Sequence, residues 1–155
     1  MLKTILVIVI VILFCLTIVM GYRMFLLGKE SQQISGSQGL VENRLKRCPD
    51  SPNCVSSFDD RDKAYIQPIA GAKPEFDALA SIIAEDHGAE IRLLSENYVH
   101  AEYKTKLFGF VDDLELLLAS DGIYVRSTSR VGYSDLDANR KRLEDLRAQL
   151  ENWKK

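Results

Sequence analysis

The sequence predicts an α+β protein: a small antiparallel sheet of about four to five strands with two helices packed on one face, preceded by a single N-terminal transmembrane helix. Three observations carry this. An unbroken apolar run fills Thr4 to Tyr22 between Lys3 and Arg23. Apolar and polar residues alternate through Ala89–Leu93 and Val99–Tyr103 and on either side of Asp121-Gly122. Apolar residues at helical spacing recur before and after these strands.

The apolar run is close to the roughly 20 residues that cross a hydrocarbon layer as a helix. A cleaved signal peptide is the rival reading, but its apolar region is shorter and ends in small residues, whereas this run ends Val19-Met20-Gly21-Tyr22-Arg23. The segmentation is a transmembrane anchor at residues 4–27, a flexible tether at 28–44 and a soluble domain at 45–153. The tether, GKESQQISGSQGLVE from Gly28 to Glu42, has no sustained helical or strand period. Of the chain's 155 residues, those beyond the tether suffice for one domain with a core. A net charge of −2 gives no basic footprint for nucleic acid, and that partner class is set aside.

Charge counting leaves sidedness open. Lys3 and the free amine favour a cytoplasmic N-terminus, while Arg23, Lys29, Arg44, Lys46 and Arg47 pull the other way. The cysteines favour an oxidising side: outside the apolar run the chain has only Cys48 and Cys54, in a turn-rich C-x5-C loop with Pro49, Ser51, Pro52 and Asn53, and the pair is expected to form a disulfide. The spacing is too wide for a C-x-x-C redox pair. A zinc site would need His87 and His100, each with a local explanation, so no metal and no cofactor is expected.

The elements come in order along the chain. Ala64–Ile69 is a short extended stretch, with Pro68 suited to an edge. Pro74 opens a helix expected to run to His87, with Phe76, Leu79, Ala80 and Ile83 inward and Gly88 as a left-handed stop. A hairpin through Ser95-Glu96-Asn97 sets Leu93 opposite Val99, Ile91 opposite Ala101 and Ala89 opposite Tyr103, leaving His100 on a solvated polar face with Glu102 and Lys104. The Asp121-Gly122 turn gives a second hairpin in which Leu118 meets Val125, Leu116 meets Ser127 and Leu114 meets Ser129. Its other face pairs Leu117 with Arg126, Glu115 with Thr128 and Asp113 with Arg130. The last helix begins in Gly132-Tyr133-Ser134-Asp135 and runs to about Trp153 with an inward stripe of Leu136, Asn139, Leu143, Leu146, Leu150 and Trp153.

Three stretches, CPDSPNCVSS at Cys48–Ser57, FGFVDDLE at Phe108–Glu115 and RSTSRVGYSDLDANRKR at Arg126–Arg142, resemble the bacterial and plastid family of unknown function called DUF1499. The likeness covers Leu45 to Leu150, with one departure at Asp137, where the family more often has glycine. It implies an envelope or organelle-lumen protein, often membrane-attached, and supplies no reaction. The expected location is the bacterial inner membrane, with the domain in the periplasm or an equivalent lumenal side.

Two readings compete for the charged residues. In one, Arg126, Arg130, Asn139 and Arg140 form a site for an anion or polar lipid headgroup, with Asp112, Asp113 and Glu115 orienting the guanidiniums. In the other, the charges are a structural ion-pair network and Asn139 bonds to Ser127 and Ser129 inside. Hydrolysis is disfavoured, because neighbouring Asp112 and Asp113 on a strand point to opposite faces and no G-x-S-x-G elbow occurs. The functional expectation is a membrane-anchored binding or interaction module, with a scaffold for an envelope protein partner as the alternative.

Overall fold

The structure, a computed structural model, describes residues 2–36 and 38–155; Met1, which carries the free amine, and Ser37 lie outside the described residues. The elements are α1 (Leu2–Gln33), β1 (Leu40–Val41), β2 (Arg44–Leu45), β3 (Cys54–Ser56), α2 (Lys73–Glu85), β4 (Ala89–Leu94), β5 (Tyr98–Lys104), β6 (Val111–Ala119), β7 (Gly122–Ser129) and α3 (Ala138–Trp153). Five strands form one antiparallel sheet in the order β3-β7-β6-β5-β4, and β1-β2 is a separate short hairpin. This is the α+β architecture expected.

α2 and α3 cover one face of the sheet, burying Phe76, Leu79 and Ile83 from α2 and Leu143, Leu146 and Leu150 from α3 against Val99, Leu114, Leu116 and Val125. α2 begins with Pro74 in its first turn, where a missing N–H costs nothing. Glu75 reaches back to accept from the Ala72 N–H at 2.8 Å. The helix ends at Glu85 rather than His87, with Asp86 extended and accepting from the Gly88 N–H at 2.8 Å.

α1 is long and apolar enough to cross a membrane. It does not stop at Leu27: the start of the expected tether, Gly28 through Gln33, is helical and continuous with the apolar segment. A stripe at Met24, Leu27, Gly28 and Ser31 turns towards the domain while Phe25, Leu26, Lys29 and Glu30 stay exposed. Gly28 lies directly on the β5–β6 loop, where a Cβ would meet the Phe108 carbonyl oxygen at 1.8 Å.

Both hairpins depart from the expected register. Ala119 pairs with Gly122, so the corner is Ser120-Asp121 and every β6–β7 pair moves by two: Glu115 faces Arg126, Leu114 faces Ser127 and Asp113 faces Thr128. A shift of two preserves the faces, and the partition of charged from apolar residues is as predicted. In β4–β5, Ala89–Tyr103 and Ile91–Ala101 pair as expected, but a bulge between Ile91 and Leu93 sets Leu93 opposite His100 and leaves Leu93 and Leu94 exposed.

α3 starts later than its sequence suggests. Leu136 and Asp137 adopt left-handed backbone, φ 55° and 64°, which turns Leu136 out to solvent instead of onto the core. Trp153 is likewise exposed. Glycine would suit this conformation at position 137 better than aspartate does.

Candidate functional site

The sheet face away from the helices carries Arg126 and Thr128 on β7, Asp113 and Glu115 on β6, and Tyr98, His100 and Glu102 on β5. Period-two alternation delivers them to one side. Two neighbouring strands then set opposite charges across from each other. Glu115 Oε2 accepts from Arg126 Nη1 at 2.8 Å, and both side chains are essentially fully buried. The other oxygen, Oε1, accepts from the Tyr98 hydroxyl at 2.7 Å and from the Gly39 backbone N–H at 2.7 Å.

Just beyond the end of β7, Arg130 makes a two-pronged contact with Asp113, Nε to Oδ2 at 2.9 Å and Nη2 to Oδ1 at 2.7 Å. Arg130 also pairs with Glu102, which bonds to Arg92 at 2.8 Å. Asp113 Oδ1 is 2.8 Å from His100 Nε2. His100 is therefore a buried partner in the network, not the solvated histidine expected from its place on the polar face.

Burial opposes ionisation of Asp113, but hydrogen bonds from Arg130 and His100 outweigh it and hold the carboxyl below its ordinary value. Glu102 behaves alike, with burial outweighed by Arg92 and Arg130. Asp113 raises the Arg130 guanidinium in turn, against the cost of burial. Tyr98 is pushed up, first by burial and then by donating to Glu115.

The chain's own N-terminal third closes this face. Ser31 Oγ accepts from the Val111 N–H at 3.1 Å, and the Ser31 carbonyl accepts from Arg130 Nη1 at 3.4 Å. Gln32 donates to the Gly109 carbonyl at 3.0 Å and accepts from Lys104 at 3.0 Å. Gly36 passes over Asp113, and Leu45 joins Tyr98 and Leu117 in a small second cluster. The stretch read as a tether is part of the packing. Gly28 and Gly36 are small enough to lie against the Phe108 carbonyl and the Asp113 carboxylate, but these contacts join residues far apart along the chain and no local sequence signal marked them.

The six candidate residues divide among three places. Arg126, Arg130, Asp113 and Glu115 share the covered outer face. Asn139 lies on the inner, helix-bearing face: its Oδ1 accepts from Ser127 Oγ at 2.6 Å and from Arg142 Nη1 at 2.6 Å, and its Nδ2 donates to Ser129 Oγ and the Asn53 carbonyl, both at 3.0 Å. Arg142 continues to Asp112 at 2.7 Å. Arg140 points elsewhere, donating to the Lys63 and Tyr65 carbonyls at 2.9 Å each.

Cys48 and Cys54 form a disulfide, with Cα atoms 5.5 Å apart. Sequence reasoning missed the clamp beneath it. Asp59 accepts from the Cys48 N–H at 3.0 Å and from Arg61 Nε and Nη2 at 2.8 Å each, while Arg61 Nη2 also donates to the Cys48 carbonyl at 2.8 Å. Arg61 drives the Asp59 carboxyl well below its ordinary value against the effect of burial. Asn53, next to Cys54, donates to the Gly132 carbonyl at 2.7 Å, so the cysteine loop is tied to the β7–α3 connection.

Among the described residues no group of three His, Cys, Asp or Glu side chains is arranged to hold a metal ion. A family model described as "Protein of unknown function (DUF1499)" matches residues 44–150. No curated protein and no solved structure matches the chain.

Proposed function

As the chain belongs to the DUF1499 family, whose function is unknown, the chemistry must be argued from the geometry, and we infer a membrane-anchored interaction module that serves as a scaffold for an envelope protein. α1 stays in the bilayer, and the soluble domain stands beside it in one orientation. The observation that carries this reading is the closure of the charged sheet face by residues 28–36 and Gly39, whose backbone supplies the Gly39 N–H to Glu115 and the Ser31 carbonyl to Arg130. A face used to seat the anchor is not free for an external anion. The Cys48–Cys54 disulfide supports a periplasmic or lumenal domain.

A second reading keeps a polar lipid headgroup or other anion at Arg130. Two cavities of about 380 and 450 Å³ flank it, one of mixed lining that includes Ser51, Asn53 and Thr128, the other polar with Arg92, Glu102 and Lys104. Arg130→Lys discriminates: it removes the fork without removing the charge. Headgroup binding by the full chain falls clearly if Arg130 meets an anion and is unchanged if it only seats the anchor.

The module reading is tested by photo-crosslinking in native membranes from exposed positions on the domain, Tyr65 and Trp153. A discrete protein adduct is expected. Uniform absence of adducts from both positions, with α1 intact, would remove the scaffold. A C-terminal alkaline phosphatase fusion reads the side of the membrane, with activity expected.

A further inference from the structure

A cavity of about 350 Å³ lies between α1 and the domain, within the size range of roughly 300–1,000 Å³ typical of small-molecule sites. Its walls come from Met24 and Leu27 of α1, Phe110 and Val111 at the start of β6, and Val131 and Leu136 after β7. They are apolar. The nearby carboxylates are engaged elsewhere, Asp112 by Arg142 and Asp135 by the N–H groups of Asn139 and Asp137.

The two loops that flank this cavity, 105–110 and 131–137, leave the same end of the sheet, because Lys104 pairs with Val111 and Asp112 with Ser129. They carry the most exposed large apolar side chains of the soluble domain: Leu107 is 80% exposed, Tyr133 78% and Leu136 86%. Leu136 is held out by a left-handed backbone, φ 55°, that a bulky residue rarely adopts. Isolated exposed leucines need no explanation, but here Leu136 lines an apolar cavity and Leu107 and Tyr133 stand on the two loops that border it, which marks a binding surface.

The position of α1 identifies the occupant. With Thr4–Tyr22 in the hydrocarbon layer, a rise of about 1.5 Å per residue puts Met24 and Leu27 roughly 3–8 Å beyond its edge. That is within the headgroup zone, which adds about 5–8 Å on each side of a ~30 Å core. The cavity thus opens at the depth where acyl chains end and headgroups begin. Resting on the anchored reading of α1, we propose that this cavity binds an acyl chain of a membrane phospholipid, with Leu107, Tyr133 and Leu136 entering the same leaflet around it. Tyrosine suits that depth, with an apolar ring and a polar tip.

Tryptophan reporters test this in the full chain, in a Trp153→Phe background, reconstituted into vesicles of phosphatidylethanolamine and phosphatidylglycerol with brominated acyl chains. Leu136→Trp and Leu107→Trp alter exposed residues and leave the core intact. Both are expected to be quenched several-fold more than Tyr65→Trp, which reports a domain position outside the cavity. A phospholipid with a mid-chain diazirine is expected to mark the peptide containing Val131, and Val131→Trp, filling the cavity, to abolish the mark at unchanged melting temperature. Quenching at residues 136 and 107 no stronger than at residue 65 would overturn the proposal. Phe14→Trp, within α1, separates the two failures: if it is quenched while residues 136 and 107 are not, only the lipid site falls, and if it too is unquenched, the anchored reading falls with it.

Discussion

Gly36 passes so close over Asp113 that a Cβ on it would lie 1.9 Å from the Asp113 Oδ2. The carboxylate cannot retreat freely, since Arg130 and His100 hold its two oxygens. Two small residues, Gly28 and Gly36, therefore let the segment after the apolar run lie on the sheet.

Gly28→Ala tests that seating. In an ordinary helix interior the change stabilises by up to about 1 kcal/mol. Here the added methyl meets the Phe108 backbone, and the expected result has the opposite sign: loss of stability and faster amide hydrogen exchange at Val111 and Gly39. Unchanged exchange with a higher melting temperature would show that α1 does not rest on the loop.

Removing half of a buried ion pair strands the other charge, so Arg126→Ala should cost about 3–5 kcal/mol in urea unfolding. Arg140→Ala removes only bonds to two carbonyls at the surface and should cost about 0.5–1.5 kcal/mol. Comparable losses for the two would mean that the Arg126–Glu115 pair is not buried as described.

Asn139→Ala leaves Ser127, Ser129 and the Asn53 carbonyl without their shared partner. A loss of about 1–3 kcal/mol is expected. Because Asn53 belongs to the cysteine loop, the disulfide should also become more accessible to reductant, which timed thiol labelling reads.

Acid should loosen the domain. Asp59, Asp113 and Glu102 all titrate below their ordinary values when folded, so the unfolded chain binds protons first as pH falls. Their stabilisation is complete above the ordinary carboxylate range of about 4 and drains as pH drops through the lower folded values. Urea midpoints should hold between pH 6 and about pH 5 and fall from there to pH 2.5, and Asp59→Asn should lower the midpoint at pH 6 while flattening the fall at low pH.

Asp137→Gly relieves a left-handed backbone and is expected to raise the melting temperature slightly, by up to about 1 kcal/mol of stability. A lower melting temperature would indicate that the Asp137 side chain matters more than its φ.

The strands and the helix phases of α2 and α3 were legible because burial imposes a period: Phe76, Leu79 and Ile83, or Leu143, Leu146 and Leu150, can face one core in only one way. Asn139 was legible too, as a polar residue on an apolar stripe with serines opposite. The β6–β7 register was not, since Asp121-Gly122 is a strong turn pair and nothing local says that Gly122 belongs to the strand. Leu136 misled for a similar reason: helical spacing continues through it, while two left-handed residues break the helix before the stripe begins. The covered sheet face depends on contacts between residues about 70 to 100 positions apart, such as Ser31 with Val111 and Arg130, which no local pattern records.

α1 runs unbroken from Leu2 to Gln33, with no hinge between its apolar part and the turns that rest on the domain. For an anchored protein this fixes the domain's heading relative to the faces of its own membrane helix. A single residue inserted between Tyr22 and Gly28 would swing that heading by about 100° and raise the domain by about 1.5 Å. Every copy in a bilayer presents the same flank to a neighbour approaching from a given side of its helix.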